Sequence, residues 1–143
     1  MDVIRGVPGN PTRSAGVNGN PLRPGIVRLG QLLSANLNTT ADQPFTMGAG
    51  IWIPTAIIST NVSTSLAISI AAGGIYTAAS KGGSAMVGAG QAYTTLTVAS
   101  SVLSLTLAIS NRRTESTLYL ALTTAHGSAA TCDLYLFGYT LDP

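Results

Sequence analysis

The side chains that could perform acid–base chemistry or bind a metal ion are few and far apart in this sequence. The chain has a single histidine, His126, and five acidic residues, which are Asp2, Asp42, Glu115, Asp133 and Asp142. General acid–base catalysis needs two positioned groups, and a zinc site needs three or four ligands. We therefore expect no catalytic residues, no resident metal ion and no cofactor. One metal arrangement stays open, in which three copies of His126 meet on the axis of a trimer.

The remaining reactive side chains favour structural roles. Glu115 follows Arg112 and Arg113, and Asp133 lies in an apolar segment, so we interpret both acids as members of ion pairs at a surface or an interface. Cys132 is the only cysteine and cannot form a disulfide within one chain. We expect it to be a small buried hydrophobic residue. The sequence therefore predicts a protein that is not an enzyme.

The first 28 residues contain a repeated segment rich in proline and glycine. The sequence VPGNPTR at 7–13 recurs as VNGNPLR at 17–23, and four of the seven basic residues lie in this region. Proline fixes φ and forces the preceding residue into an extended conformation. We predict that residues 1–28 form an extended arm, which can reach on the order of 90 Å. Its candidate contact residues are Arg5, Arg13, Arg23, Arg28, Pro11 and Pro21.

The composition of the chain points to contact with other subunits. Charged residues make up 8% of the sequence, whereas about a quarter is usual in soluble domains. Either other subunits cover much of the surface, or serine and threonine hydroxyls keep a monomer soluble. The arginines are too widely spaced for a typical nucleic-acid-binding tail, so we expect no nucleic-acid partner. The most apolar stretch, at 66–79, is too short and too polar to span a membrane.

Apolar residues recur with a period of two from about residue 27 onward. This alternation is typical of half-buried strands, and it is clearest at 66–71, 103–110, 118–123 and 131–141. Further strands are predicted at 31–37, 44–47, 51–59, 75–79, 85–87 and 92–98. No segment has sustained helical periodicity. The sequence therefore predicts an all-β fold, with residues 29–143 forming one antiparallel β-sandwich of jelly-roll type.

The last predicted strand is apolar on both of its faces. Cys132, Leu134 and Leu136 occupy one face, and the other face carries Tyr135, Phe137, Tyr139 and Leu141. A strand that is apolar on both faces is usually buried on both. We therefore predict that this strand is central in its sheet and that Tyr135, Phe137 and Tyr139 contribute to an oligomer interface.

Three segments resemble small structural proteins of tailed bacteriophages. They are GGIYTAASKGGSA at 73–85, LYLALTTAHG at 118–127 and DLYLFG at 133–138. The likeness covers about residues 30–143 and lies in the pattern of strands and turns. Within that group the chain looks most like capsid decoration, or cement, proteins. The resemblance implies a jelly-roll domain, commonly trimeric, that binds the assembled capsid and has no catalytic residues.

These observations lead to a structural expectation for the protein. It would be a homotrimer on the outer capsid surface of the virion, assembled in the host cytoplasm, and its arm would contact the major capsid protein and neighbouring copies. One alternative is a receptor- or carbohydrate-binding module of a tail or head fibre. In that case sugars would stack on Trp52, Tyr76, Tyr93 or Tyr119. Another is a small coat protein whose arm faces packaged nucleic acid.

Overall fold

The computed structural model of the protein describes residues 25–48 and 50–141, which form eight β-strands and no helix. The strands are β1 (Val27–Asn36), β2 (Gln43–Met47), β3 (Ile51–Thr64), β4 (Ala72–Ala78), β5 (Gly82–Val87), β6 (Val102–Leu105), β7 (Thr117–Thr124) and β8 (Ala130–Leu141). The predicted all-β fold is confirmed. In this part of the chain no helix has the length and apolar character needed to cross a membrane.

The eight strands form one continuous antiparallel sheet. Their spatial order is β5-β4-β7-β2-β1-β8-β3-β6. The segment that follows β6 reaches β5 at the opposite end of this order, through a bridge between Val87 and Leu107. A hydrogen bond of 2.8 Å from the Ala108 amide to the Met86 carbonyl supports that bridge. The sheet is therefore curled, and the predicted division into the two stacked sheets of a sandwich is not confirmed.

The inner side of the curled sheet holds a single hydrophobic core. Cross-strand partners point to the same side of a sheet, and the pair Leu32 and Leu134 joins β1 to β8 on the inner side. The largest fully buried core side chains come from strands throughout the sheet and from the loop before β6, and they include Phe45, Ile57, Ile75, Leu118, Leu120, Leu122, Tyr93 and Leu96. The alternation read from the sequence therefore identifies the inner residues of β7 and β8.

Strand β8 is central, as the sequence predicted. It pairs with β1 on one side and with β3 on the other. Cys132, Leu134 and Leu136 are fully buried on the inner side. The intervening residues Tyr135 and Phe137 are half-buried on the opposite side.

Two predicted strands are absent from the structure. The predicted strand at 66–71 is a loop in which Ile68 is buried but Leu66 and Ile70 are exposed. The Thr64 hydroxyl donates to the Leu66 carbonyl at 2.6 Å and accepts from the Leu66 amide at 3.2 Å. Such local side-chain bonds compete with strand pairing, so β3 ends at Thr64.

The predicted strand at 92–98 is replaced by turns that place two large side chains in the core. The Leu96 amide donates to the Tyr93 carbonyl at 3.1 Å, and both side chains are fully buried. The Ser101 hydroxyl accepts from the Val98 amide at 3.0 Å and closes the second turn. Tyr93 and Leu96 are apolar because this loop covers the core. A loop can cover the core without alternating apolar and polar residues.

The segment at 113–115 extends the sheet beside the start of β3. The backbones of Trp52 and Arg113 exchange two hydrogen bonds, of 2.9 and 2.7 Å. The Arg113 guanidinium donates to both carboxylate oxygens of Glu115, at 3.1 and 2.7 Å. This hydrogen bonding lowers the pKa of Glu115 below its ordinary value. The ion pair predicted for Glu115 is thereby confirmed.

The lowered pKa of Glu115 predicts a small loss of stability in acid. A carboxyl group whose pKa is lower in the folded state stabilises the fold above its ordinary pKa, and the effect is lost as the pH falls through the folded value. We expect Glu115→Gln to reduce the free energy of unfolding by less than about 1 kcal/mol at pH 7, because the pair is partly exposed. In urea titrations the difference from wild type should shrink below pH 4.5. A difference that stays constant from neutral to acidic pH would contradict this assignment.

Candidate interaction surface

The chemistry-bearing side chains are dispersed over the structure. In the described ranges, no three His, Cys, Asp or Glu side chains lie close enough together to hold a metal ion. The Asp42 carboxylate accepts a hydrogen bond of 2.6 Å from the Ser80 amide, which fixes the turn between β4 and β5. Glu115 is engaged by Arg113. These two acids therefore have structural partners.

His126 and Cys132 are both buried. The His126 amide donates to the Leu37 carbonyl at 2.8 Å, while neither ring nitrogen has a hydrogen-bond partner in the part of the chain that the structure describes. Burial raises the pKa of the Cys132 thiol to about 11, so the thiol is protonated at neutral pH and is a poor nucleophile. Cys132 is a small buried hydrophobic residue, as expected.

The Asp133 carboxylate forms hydrogen bonds to two β-bulges, one in each strand that flanks β8. One carboxylate oxygen accepts from the Ser34 amide of β1 at 2.8 Å, and the other accepts from the Asn61 side-chain amide of β3 at 2.8 Å. Ser34 and Asn61 have positive φ values of 53° and 54° and lie at shifts in strand register. The carboxylate therefore holds two bulges by hydrogen bonds, a role that the sequence did not reveal.

The outward side of β8 and β3 forms a continuous apolar surface. Strand pairing places Ile58 beside Tyr135, Ala56 beside Phe137, Ile53 beside Tyr139 and Ile51 beside Leu141. We call these eight residues the outer face. All eight are half-buried. The Tyr135 and Phe137 rings lie 6.5 Å apart between centroids, in a tilted arrangement.

Exposed hydrophobic residues extend the outer face at both of its sides. On β1, Leu33 is 51% exposed, and on β6, Val102 is 66% exposed. Val102 pairs with Thr60, which lies on the outward side of β3 opposite Asp133. Large contiguous apolar patches often mark interaction sites, so the outer face is a candidate for one.

Arg28 joins the predicted arm to the predicted oligomer interface. It pairs with Phe137 in the register between β1 and β8, and its guanidinium carbon lies 6.0 Å from the centroid of the Tyr135 ring. A cation at this distance from an aromatic face is attracted by the ring. Arg28 belongs to β1 and contacts the outer face directly.

The remaining arm residues of the prediction lie outside the described part of the chain. They are Arg5, Arg13, Arg23, Pro11 and Pro21. The described backbone begins at Gly25, and Val27 pairs with Gly138 near the end of β8. The described chain thus begins beside the end of the outer face that carries Tyr139 and Leu141.

The aromatic residues considered for sugar stacking are mostly unavailable. Tyr93 is fully buried, and Trp52 and Tyr76 are 2% and 7% exposed. Tyr119 is half-buried on β7. A carbohydrate site built on Tyr93, Trp52 or Tyr76 is therefore excluded, because stacking requires an open ring face.

The contribution of β3 to the outer face was missed in the sequence. The segment Ile51–Ile58 is apolar at nearly every position, the same two-sided pattern that identified β8. That pattern was a usable signal, since β3 is paired on both sides by β8 and β6. No family model, curated protein or solved structure matches the chain.

Proposed function

We propose that this protein is a structural component of a virion, a capsid decoration or cement protein of a tailed bacteriophage. Copies associate through the outer face as a homotrimer on the outer capsid surface. The N-terminal arm binds the major capsid protein and neighbouring copies, and thereby stabilises contacts between capsomers. The protein acts by binding and without catalysis.

One observation carries this proposal, namely the apolar outer face, beside whose end the described chain begins at Gly25. Tyr135, Phe137 and Tyr139 lie on this face as one row along β8. Interface cores are rich in aromatic residues and depleted of charge. A chain with 8% charged residues and such a surface is suited to assembly.

The arm supplies the contact with the capsid in this proposal. Arginine binds carboxylates and carbonyl oxygens through several donors held in a planar fork. Arg13 and Arg23 end two similar segments, so two similar surfaces can be engaged in succession. The first contact raises the effective concentration of the second.

Deletion of residues 1–24 tests the role of the arm. The described sheet begins at Val27, so this deletion leaves every strand and Arg28 in place. We expect a folded protein with the oligomeric mass of wild type that no longer binds capsids of the virus that encodes it. Occupancy is measured by quantitative mass spectrometry of particles after incubation and sedimentation. Undiminished occupancy would refute the proposed role of the arm.

Paired substitutions refine this experiment. Arg13→Ala and Arg23→Ala together should reduce occupancy, whereas Arg112→Ala, at an exposed arginine outside the arm, should leave it unchanged. The copy number in native particles tests the location independently. A decoration protein is present at a level comparable with the major capsid protein, whereas a component of a fibre tip is present in few copies per particle.

A further inference from the structure

The four strands that form and flank the outer face carry, in total, one positively and one negatively charged residue. In β1, β8, β3 and β6 the charged residues are Arg28 and Asp133. The neighbouring polar positions on this side are neutral, and they include Gln31, Thr60 and Ser104. A partner of strongly acidic or strongly basic character therefore meets no cluster of like charges on these four strands.

The two charges lie on either side of Tyr135 along β8. Arg28 pairs with Phe137 and its guanidinium covers the Tyr135 ring. Asp133 precedes Tyr135 by two residues, which corresponds to about 7 Å along a strand. The cation and the anion are thus close enough together to lie within one contact area.

Within the described residues, both groups retain capacity for a further partner. A guanidinium has five N–H donors, and a carboxylate has about four acceptor sites. Among the described residues, Asp133 accepts two hydrogen bonds, from the Ser34 amide and the Asn61 side chain, and both donors are uncharged. Asp133 can therefore accept a bond from a guanidinium without releasing the bulges that it holds.

We propose that the outer face of each copy binds the outer face of the next copy around a three-fold axis, and that Arg28 of one copy pairs with Asp133 of the next. Because Arg28 and Asp133 occupy different positions on the outer face, each copy can present its cation to one neighbour and its anion to the other, as a closed three-fold ring requires. The exposed side chains of Leu33 and Val102 extend the contact at both sides. This inference rests on the self-association in the proposed function and is independent of the capsid.

The first test compares two substitutions of aromatic residues on outward sides of the sheet. Phe137→Asp places a charge in the middle of the outer face, whereas Tyr119→Asp places it on the outward side of β7, where Tyr119 pairs with Tyr76 and Pro44. In sedimentation equilibrium of the full chain, we expect wild type and Tyr119→Asp to associate and Phe137→Asp to be monomeric. Circular dichroism establishes that each variant is folded.

The second test is a double-mutant cycle on the charged pair. Arg28→Gln and Asp133→Asn preserve shape and remove charge, and each should raise the dissociation constant of the oligomer about tenfold. The double variant should be no weaker than the weaker single variant, because either change already removes the pair. Equal thermal midpoints of the monomeric forms would show that folding is not the cause.

The outcomes separate this inference from the capsid function. A monomeric wild type, or an associated Phe137→Asp, would overturn the outer face as the contact surface. Strictly additive losses in the cycle would overturn the pairing of Arg28 with Asp133. Self-association that follows these expectations in a protein that does not bind capsids would overturn the proposed function and leave this inference standing.

Discussion

Replacing Gly138 by alanine is expected to destabilise the sheet strongly around β8. Gly138 lies between β1 and β3, paired with Val27 and Pro54. A Cβ atom at this position would overlap the Ile53 carbonyl oxygen and lie 2.7 Å from a methyl carbon of Leu29. A rigid backbone oxygen cannot move aside without displacing β3. We expect a loss of about 3 kcal/mol in the free energy of unfolding, the upper end of the usual range for an overpacked site, measured by urea titration.

Gly90→Ala is the matched control for that experiment. No atom lies within 4 Å of a Cβ built on Gly90, and its φ is not in the left-handed region. The same added methyl group should therefore change stability by about 0.5 kcal/mol at most. If the alanine variants at positions 138 and 90 unfolded at the same urea concentration, close packing at Gly138 would not be the reason for a glycine there.

Replacing Trp52 by alanine is expected to cost about 3–5 kcal/mol, the range for a large aromatic side chain removed from a core. The Trp52 side chain is 2% exposed on the inner side of β3. Its indole N–H donates to the Glu115 carbonyl at 3.0 Å. This bond adds a side-chain link to the two backbone hydrogen bonds between Trp52 and Arg113, so the alanine variant loses core packing and that link together.

The variant Trp52→Phe separates the two contributions. Phenylalanine keeps an aromatic ring in the core and removes the indole donor, leaving the Glu115 carbonyl without that partner. We expect an intermediate loss, since one hydrogen bond contributes about 0.5–1.5 kcal/mol and the smaller ring leaves some space unfilled. Thermal unfolding followed by circular dichroism should rank wild type above Trp52→Phe and Trp52→Phe above Trp52→Ala. Any other order would contradict the roles assigned to the ring and its N–H group.

The strands that were predicted well are those in which alternation and burial coincide. In β7 and β8, apolar side chains at every second position face the core. The alternation of apolar and polar residues in the sequence therefore shows directly which side of each strand is buried. At 66–71 the same alternation belongs to a loop, because the Thr64 hydroxyl bonds to Leu66 and ends β3. A sequence pattern does not contain that competition between side-chain and strand hydrogen bonds.

The outer face was predicted only in part, because some of its contacts depend on strand pairings that the sequence does not show. Tyr135, Phe137 and Tyr139 could be recognised because β8 is apolar on both faces. Their contact with Arg28 could not, because it depends on the pairing of β1 with β8, which are separated by about a hundred residues. The bonds of Asp133 to Ser34 and Asn61 also depend on which strands flank β8.

By itself, the sequence determined that the chain is all-β, that β8 is central and that β8 carries a row of aromatic side chains on the face opposite its core residues. These properties follow from the types of residue at alternating positions, and they hold for many arrangements of the strands. Only the tertiary structure decided that the eight strands form one curled sheet and that Arg28 lies over Tyr135. The physical reason is that strand order and register arise from hydrogen bonds and close packing between distant segments, such as the fit of Gly138 against Ile53.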